Sequence, residues 1–347
     1  MMISSKASTH FARTLLISII LLVTCSLSAH RAFSQTKVVL NEESDATPAA
    51  AVYNGVVYLA WTGTDGHHTL NVAESTDGLH FGTPAVLNQQ SVNGTAGPAL
   101  AVFNGYLWLA WTGGYNEINL ENSTGGLSFG NKVLHSNMLS YTTPAIGVNG
   151  PNLYVDYAYL YNYSPGGNEP VTDHPLVTAY SSDGVNFSTP LIHTCLSLVD
   201  DPYATNLVDS PTFSSAPFFS SQVTWYAATM SGQPCATQPS NYVTAQIGIG
   251  TGGTGPSINN GGVTAYGGAG VTSLGSEVWL AWVPSQPNIQ MNVYQASSQT
   301  GPFTLVSSTS TGQQLVGNPV LLTYNGHIFM YWGGTDGVHH INAEEIQ

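Results

Sequence analysis

The chain has 347 residues, with 5 Lys+Arg against 19 Asp+Glu and a formal net charge of −14 at pH 7. So acidic a protein is a poor partner for nucleic acid or an anionic membrane surface. With 42% hydrophobic, 10% aromatic and only 7% charged residues, it carries enough apolar material for a large core, which excludes a disordered chain.

The first element is a leader. Lys6 and Arg13 precede an apolar run from Leu15 to Val23, too short for a membrane span. Ala32-Phe33-Ser34 then offers a small-x-small cleavage site before Gln35. Residues 1–34 therefore read as a secretory signal peptide, placing the remainder, 35–347, outside the cell or in a periplasm as one domain. Processing as a lipoprotein at Cys25 is the alternative, although Thr24 fits that site poorly. Beyond the leader only Lys37 and Lys132 are basic, and no arginine remains.

Lys37-Val38-Val39-Leu40 is the next element, an unmatched strand. After it a phrase repeats. Pro48 to Gly63, Pro98 to Gly113 and Pro319 to Gly334 share an apolar strand, an Asn-Gly pair and a second strand ending in Trp. Asn-Gly in this setting marks a tight hairpin, because both central residues must tolerate positive φ. The second strands, Val57 to Trp61, Leu107 to Trp111 and Ile328 to Trp332, are rich in β-branched and aromatic residues. A third strand such as Leu70 to Glu74 and a fourth such as Pro84 to Leu87 complete each unit. Four antiparallel strands at a period near 50 residues are the content of one propeller blade.

The sequence predicts six such units in an all-β, six-bladed β-propeller, with five or seven blades as alternatives. Units one and two are anchored at Trp61 and Trp111, and unit three at Leu153 to Tyr157. Unit four, at Val223 to Ala227, is divergent, with Ala228 where other units have Trp. Units five and six are anchored at Trp282 and Trp332. The last unit stops after a third strand at Ile341 to Ile346, so the N-terminal strand is expected to complete it and close the ring. An open stack of sheets is the alternative.

The turn after the third strand also recurs. Ser75-Thr76-Asp77-Gly78-Leu79-His80-Phe81 matches Ser181-Ser182-Asp183-Gly184-Val185-Asn186-Phe187, with degenerate copies at Ser123 to Phe129 and Ser297 to Phe303. Asp accepts backbone N–H groups there, Gly takes the left-handed residue and Phe plugs the gap between strands. These segments resemble the Asp-boxes of the sialidase superfamily, which are six-bladed propellers. The resemblance implies structural roles for Asp77 and Asp183, at turns away from an active face. It also implies an arginine triad for the substrate carboxylate, and without arginine that clamp is missing. Two lysines do not replace three bidentate guanidinium groups, so no sialidase activity is expected.

Candidate ligand residues fall on the loops that enter first strands or join second to third strands. The insertion Tyr159 to Pro175 carries Tyr161, Tyr163, Asp173 and His174; the stretch Cys195 to Ser210 carries Asp200, Asp201 and Tyr203; Tyr115 and Glu117 lie in unit two. Tyrosine faces beside carboxylates and amides suit a sugar, which offers an apolar ring face and hydroxyl donors. The same tyrosines could instead cover a small core of the insertion. A Cys195–Cys235 disulfide would tie two of these loops, worth about 4 kcal/mol in the chain-entropy model.

Asp156 stands where other units carry Ala60, Ala110, Ala227, Ala281 or Tyr331. Either it lines the channel as an acid or base, or it hydrogen-bonds a neighbour for structure. A glycosidase needs two flanking carboxylates, and Asp156 with Asp200, Asp201 or Glu117 could supply them. His67-His68 and His339-His340 invite a metal reading, but His68 and His339 recur with the repeat, as blade-building residues do. The sequence thus points to a monomeric, non-catalytic, sialidase-like propeller that binds a glycan and needs no metal or cofactor. A non-sialidase glycoside hydrolase and a protein-binding scaffold are the alternatives.

Overall fold

The structure, a computed structural model, describes residues 36–140, 142–159, 161–163, 171–173, 176–195, 212–214, 222–228, 233–234, 242–248, 270–282, 291–297, 304–308, 315–334 and 336–347. Residues 36–347 form one compact unit, built among the described residues from strands alone. β1 (Thr36–Glu43) comes first. Blade one is β2 (Ala49–Tyr53), β3 (Val56–Thr62), β4 (Thr69–Ser75) and β5 (Ala85–Gln90). Blade two is β6 (Ala99–Phe103), β7 (Tyr106–Thr112), β8 (Glu117–Ser123) and β9 (Gly130–Leu139).

β10 (Ala145–Asn149) and β11 (Asn152–Ala158) open the third blade. The insertion then forms its own hairpin, β12 (Tyr161–Tyr163) with β13 (Val171–Asp173). β14 (Leu176–Ser181) and β15 (Leu191–Cys195) complete the third blade. The divergent unit holds β16 (Thr212–Ser214), β17 (Gln222–Ala228), β18 (Gln233–Pro234) and β19 (Tyr242–Gly248). Next come β20 (Gly270–Leu274), β21 (Glu277–Trp282), β22 (Asn292–Ala296) and β23 (Thr304–Ser308). The last blade is β24 (Leu315–Tyr324), β25 (His327–Gly334) and β26 (His340–Glu345), with β1 paired to β26 as its outer strand.

The fold is an all-β propeller, but the six regular blades expected from the sequence reduce to five. The divergent unit gives a three-stranded sheet in which β17 and β19 run parallel. A parallel pair needs a crossover connection, and β18 lies in that crossover, paired to β15 on the edge of the third blade. Its first two strands, β16 and β17, still pair antiparallel, so the departure lies in the connection from β17 to β19. Its strand β16 still adjoins β10 on one side and β20 on the other, continuing the inner ring.

Blades are joined through apolar layers. Ala60 and Val72 pack with Leu100 and Leu109 of blade two, while Ala110 and Leu120 pack with Ile146 and Val155 of the third. On the opposite face of blade one, Leu59 and Trp61 meet Tyr331 and Ala343 of the last blade. The hairpin ends are stitched as well. The Tyr53 hydroxyl donates to the Gly105 carbonyl at 2.8 Å, and that of Tyr324 donates to Gly55 at 2.9 Å and to Thr76 at 3.0 Å. The Tyr324 bonds cross from the last blade to the first, so the closed ring replaces the open stack.

Candidate functional site

The loops between second and third strands share a face with the connectors between blades, and both follow one template. The residue before the third strand takes positive φ: 54° at His68, 66° at Asn116 and 61° at His339. Its carbonyl accepts the N–H of the serine that opens the next connector, Ser91, Ser140 and Ser44 respectively. Thr62 and Thr112 donate their hydroxyls to the carbonyls of Ala96 and Thr142, fastening connector to blade. The end of each of these three loops and its bond to the connector therefore repeat, while loop length and side chains differ.

In two of these loops a carboxylate is consumed by the turn. Asp65 accepts from the Thr69 N–H at 2.8 Å and the Thr69 hydroxyl at 2.6 Å, bonds that hold its pKa below the usual range. Asp336 contacts the His340 ring at 2.6 Å and accepts its N–H at 3.2 Å. The ring bond first, then the backbone bonds, hold Asp336 at about 2. Blade two has the shorter loop Gly113-Gly114-Tyr115-Asn116 with no aspartate. There Glu117 keeps a buried Oε2 that takes no hydrogen bond, as does the buried Oδ1 of Asn119. Tyr115, 89% exposed, stands beside it. An unsatisfied buried acceptor costs about 1–3 kcal/mol, and among the described loops this is the one where such an atom belongs to a carboxylate.

Sequence reasoning missed a second cluster. Asp45, in the connector from the last blade to the first, contacts the Nδ1 of His339, 294 positions away. Both side chains are a little over one-third exposed, at 38% and 36%. His68 lies alongside. A Cβ on Gly94 would sit 3.2 Å from His68 Nδ1 and 3.8 Å from Asp45 Oδ2, so the absent side chain leaves room for the imidazole beside the carboxylate. His68 Nδ1 is buried and has no partner. The only signal in the sequence was the recurrence of His68 and His339, which pointed to blade building. Among the described residues, no His, Cys, Asp and Glu side chains gather in a group of three able to hold a metal ion.

The nominated residues scatter differently. Asp156 is fully buried and accepts a hydrogen bond from the Thr178 hydroxyl. It pairs across β10 with Ala145, as Ala60 pairs with Ala49 and Ala110 with Ala99. Its register therefore turns it toward the neighbouring sheet, as those alanines turn, and not into the channel. The partner position on the third strand changes with it, from Val72, Leu120 and Val293 to Thr178. Tyr161 pairs with Asp173 at the base of the β12–β13 hairpin, and Tyr163 with Val171 at its tip. His174, Asp200, Asp201, Tyr203 and Cys235 lie outside the described residues. Cys195 pairs with Gln233, two positions before Cys235.

Asp77 and Asp183 sit at the opposite end of the blades. Asp77 Oδ1 accepts the N–H groups of Leu79 at 2.9 Å and His80 at 2.8 Å. Asp183 does the same for Val185 and Asn186, both at 2.8 Å. Both carboxyls are held well below the usual range. The His80 and Leu79 bonds outweigh burial at Asp77, and the Asn186 bonds lead at Asp183. These groups are spent on their own turns.

No family model matches the chain, and no curated protein does. Solved structures similar to it include a protein of unknown function from Dyadobacter fermentans, with a TM-score of 0.56 and 14% identity over 89% of this chain and 97% of that one. A thermostable family-43 glycoside hydrolase is similar at TM-score 0.43 and 11% identity, over 89% and 92% of the two chains. The native arabinanase Arb43A of Bacillus subtilis is similar at TM-score 0.41 and 15% identity, over 89% and 96%. At such identities the likeness is one of fold. The expected non-catalytic, sialidase-like binder is corrected in that it finds no counterpart among these structures, whose named activities are those of glycoside hydrolases.

Proposed function

We propose that this propeller is a glycoside hydrolase, not a sialidase, that works on a neutral glycan across its loop face. The observation that carries the reading is Glu117. It follows the blade-two loop, two positions after the exposed Tyr115, and its buried Oε2 accepts no hydrogen bond, while Asp65 and Asp336 of the equivalent described loops are hydrogen-bonded within their turns. A positioned carboxyl can donate a proton to a departing glycosidic oxygen or take one from water, and a flat tyrosine face suits the apolar side of a sugar ring. A hydrolase needs a second carboxylate. Asp200 and Asp201 are the candidates.

Charge supports a neutral substrate. The described loop face carries the carboxylates Glu43, Asp45, Asp65, Glu117 and Asp336, and Lys37 interacts with Asp336. Lys37 and Lys132 lie over Trp332 and Trp111, at 5.3 Å and 5.2 Å from the ring centroids. An acidic face repels uronates and sialosides. Such a protein would be exported, secreted or periplasmic, and act as a monomer.

The test is turnover of p-nitrophenyl pentofuranosides, pentopyranosides and hexopyranosides and of neutral polysaccharides by the purified chain. Glu117→Gln is expected to lower kcat by roughly 10²–10⁴, the usual share of general acid–base catalysis, with an unchanged melting temperature. A wild-type protein inert toward every member of the panel would overturn the reading.

A further inference from the structure

We propose that Asp45 and His339 form a proton-transfer dyad on the loop face, at the seam where the last blade meets the first. Asp45 would be the positioning residue and His339 the group that exchanges a proton with a ligand hydroxyl or a water.

Four His–carboxylate contacts are present among the described residues, and this one differs from the rest. His80–Asp77 and His340–Asp336 are local pairs within one turn, and their carboxylates also collect backbone N–H groups. His327–Glu345 joins neighbouring strands at the hairpin end of the last blade. Asp45, by contrast, takes His339 Nδ1 and no other hydrogen bond from the described residues. It does so from the far end of the chain, on the face where the connectors meet.

The imidazole is fixed twice. The His339 carbonyl accepts the Ser44 N–H at 3.0 Å while its Nδ1 meets Asp45. Its backbone is held at φ 61°, a conformation that side-chain-bearing residues reach at some cost. A carboxylate on Nδ1 selects the tautomer with Nδ1–H, which leaves Nε2 as the acceptor. Both residues remain partly exposed, so a small hydroxyl can approach.

The neighbouring groups fit this use. Gly94 carries no side chain where a Cβ would press on the His68 ring, and its φ is not in the left-handed region; the glycine serves space here. His68 therefore sits beside Asp45 with an unpartnered Nδ1. The other ionisable groups around the seam are Asp336 and His340 on the His339 loop, bonded to each other, with Lys37 near Asp336; Asp65, bonded to Thr69, and His67 on the His68 loop; and Glu43, which accepts from Thr64 at 3.0 Å. None of them takes the place of Asp45 at His339.

The dyad rests on the hydrolase reading only for what it acts on, and its test separates the two. In the full chain with ¹⁵N-labelled histidine, long-range ¹H–¹⁵N correlation at neutral pH is expected to show His339 as a single Nδ1–H tautomer, and Asp45→Asn to mix the two forms. Mixed tautomers in the wild type would overturn the dyad. Diethyl pyrocarbonate, mapped by peptide mass spectrometry, is expected to modify His339 faster than His80 and His340. Equal rates would overturn it too. If a glycoside is turned over, His339→Gln should remove one limb of the pH–rate curve with folding intact, and an unchanged curve would sink the proposal. If no glycoside is turned over, the hydrolase reading fails by itself, and the tautomer and labelling results alone decide the dyad.

Discussion

Charge in this protein is sparse, and the two lysines within residues 36–347 both lie over tryptophan rings. Lys37 on β1 lies over Trp332, and Lys132 on β9 lies over Trp111. In these two blades a buried glutamate occupies the third strand, Glu344 opposite Lys37 and Glu121 in the corresponding place in blade two. Glu121 is met by the amide of Gln89 at 2.7 Å and 2.8 Å. Burial pushes the Glu344 carboxyl up, with Lys37 opposing, and burial pulls the Lys37 ammonium down. A glutamate whose folded pKa exceeds its unfolded value stabilises the protein below that unfolded value, near 4.5, and the contribution is lost as pH rises through the folded pKa. Glu344→Gln is therefore expected to raise the melting temperature at pH 7, with the gain vanishing below about pH 4. Scans of both proteins across that window provide the check, and a Gln variant less stable at pH 7 would contradict the sign.

At the scale of the element, glycines divide into two kinds. Gly55, Gly105 and Gly326 occupy Asn-Gly hairpins with φ of 77°, 77° and 83°, and a Cβ there would meet nothing within 4 Å. Gly78, Gly126 and Gly184 have similar φ but lie under aromatic rings of the preceding blade, Phe329, Tyr58 and Trp108. Gly105→Ala should cost only backbone strain, about 1–2 kcal/mol. Gly184→Ala adds overlap with the Trp108 ring, for a further loss of about 1–3 kcal/mol from overpacking. Urea midpoints of the two variants test the ordering, and equal losses would show that the ring yields freely. The hairpins were legible in the sequence because Asn-Gly acts through local φ. The ring over Gly184 was not, since it arrives from another blade.

For the whole molecule, the last blade depends on the first strand of the chain. β1 pairs with β26, Leu40 is buried against the first and last blades, and Thr47 accepts the Asn318 N–H at 2.7 Å. A chain lacking residues 36–43 would expose the edge of β26, an open template for association. It should lose at least about 3 kcal/mol, comparable with emptying one buried leucine site, and should aggregate on gel filtration. A monomeric variant of unchanged urea midpoint would show that the ring closes without β1.

The sequence by itself determined the propeller class, the hairpins, the role of β1 and the lack of any arginine clamp, since each follows from composition, from contacts a few residues apart or from the strand count of the repeat. Tertiary structure decided the rest. It replaced a sixth regular blade with a partly parallel sheet, because the connection from β17 to β19 crosses over, with β18 paired to β15, instead of returning as a hairpin. It turned Asp156 toward a neighbouring sheet, because strand register fixes which face a side chain takes. It also brought Asp45 to His339 and left Glu117 unsaturated. Those features are set by what another blade or a shortened loop places beside a side chain, and no local pattern encodes that.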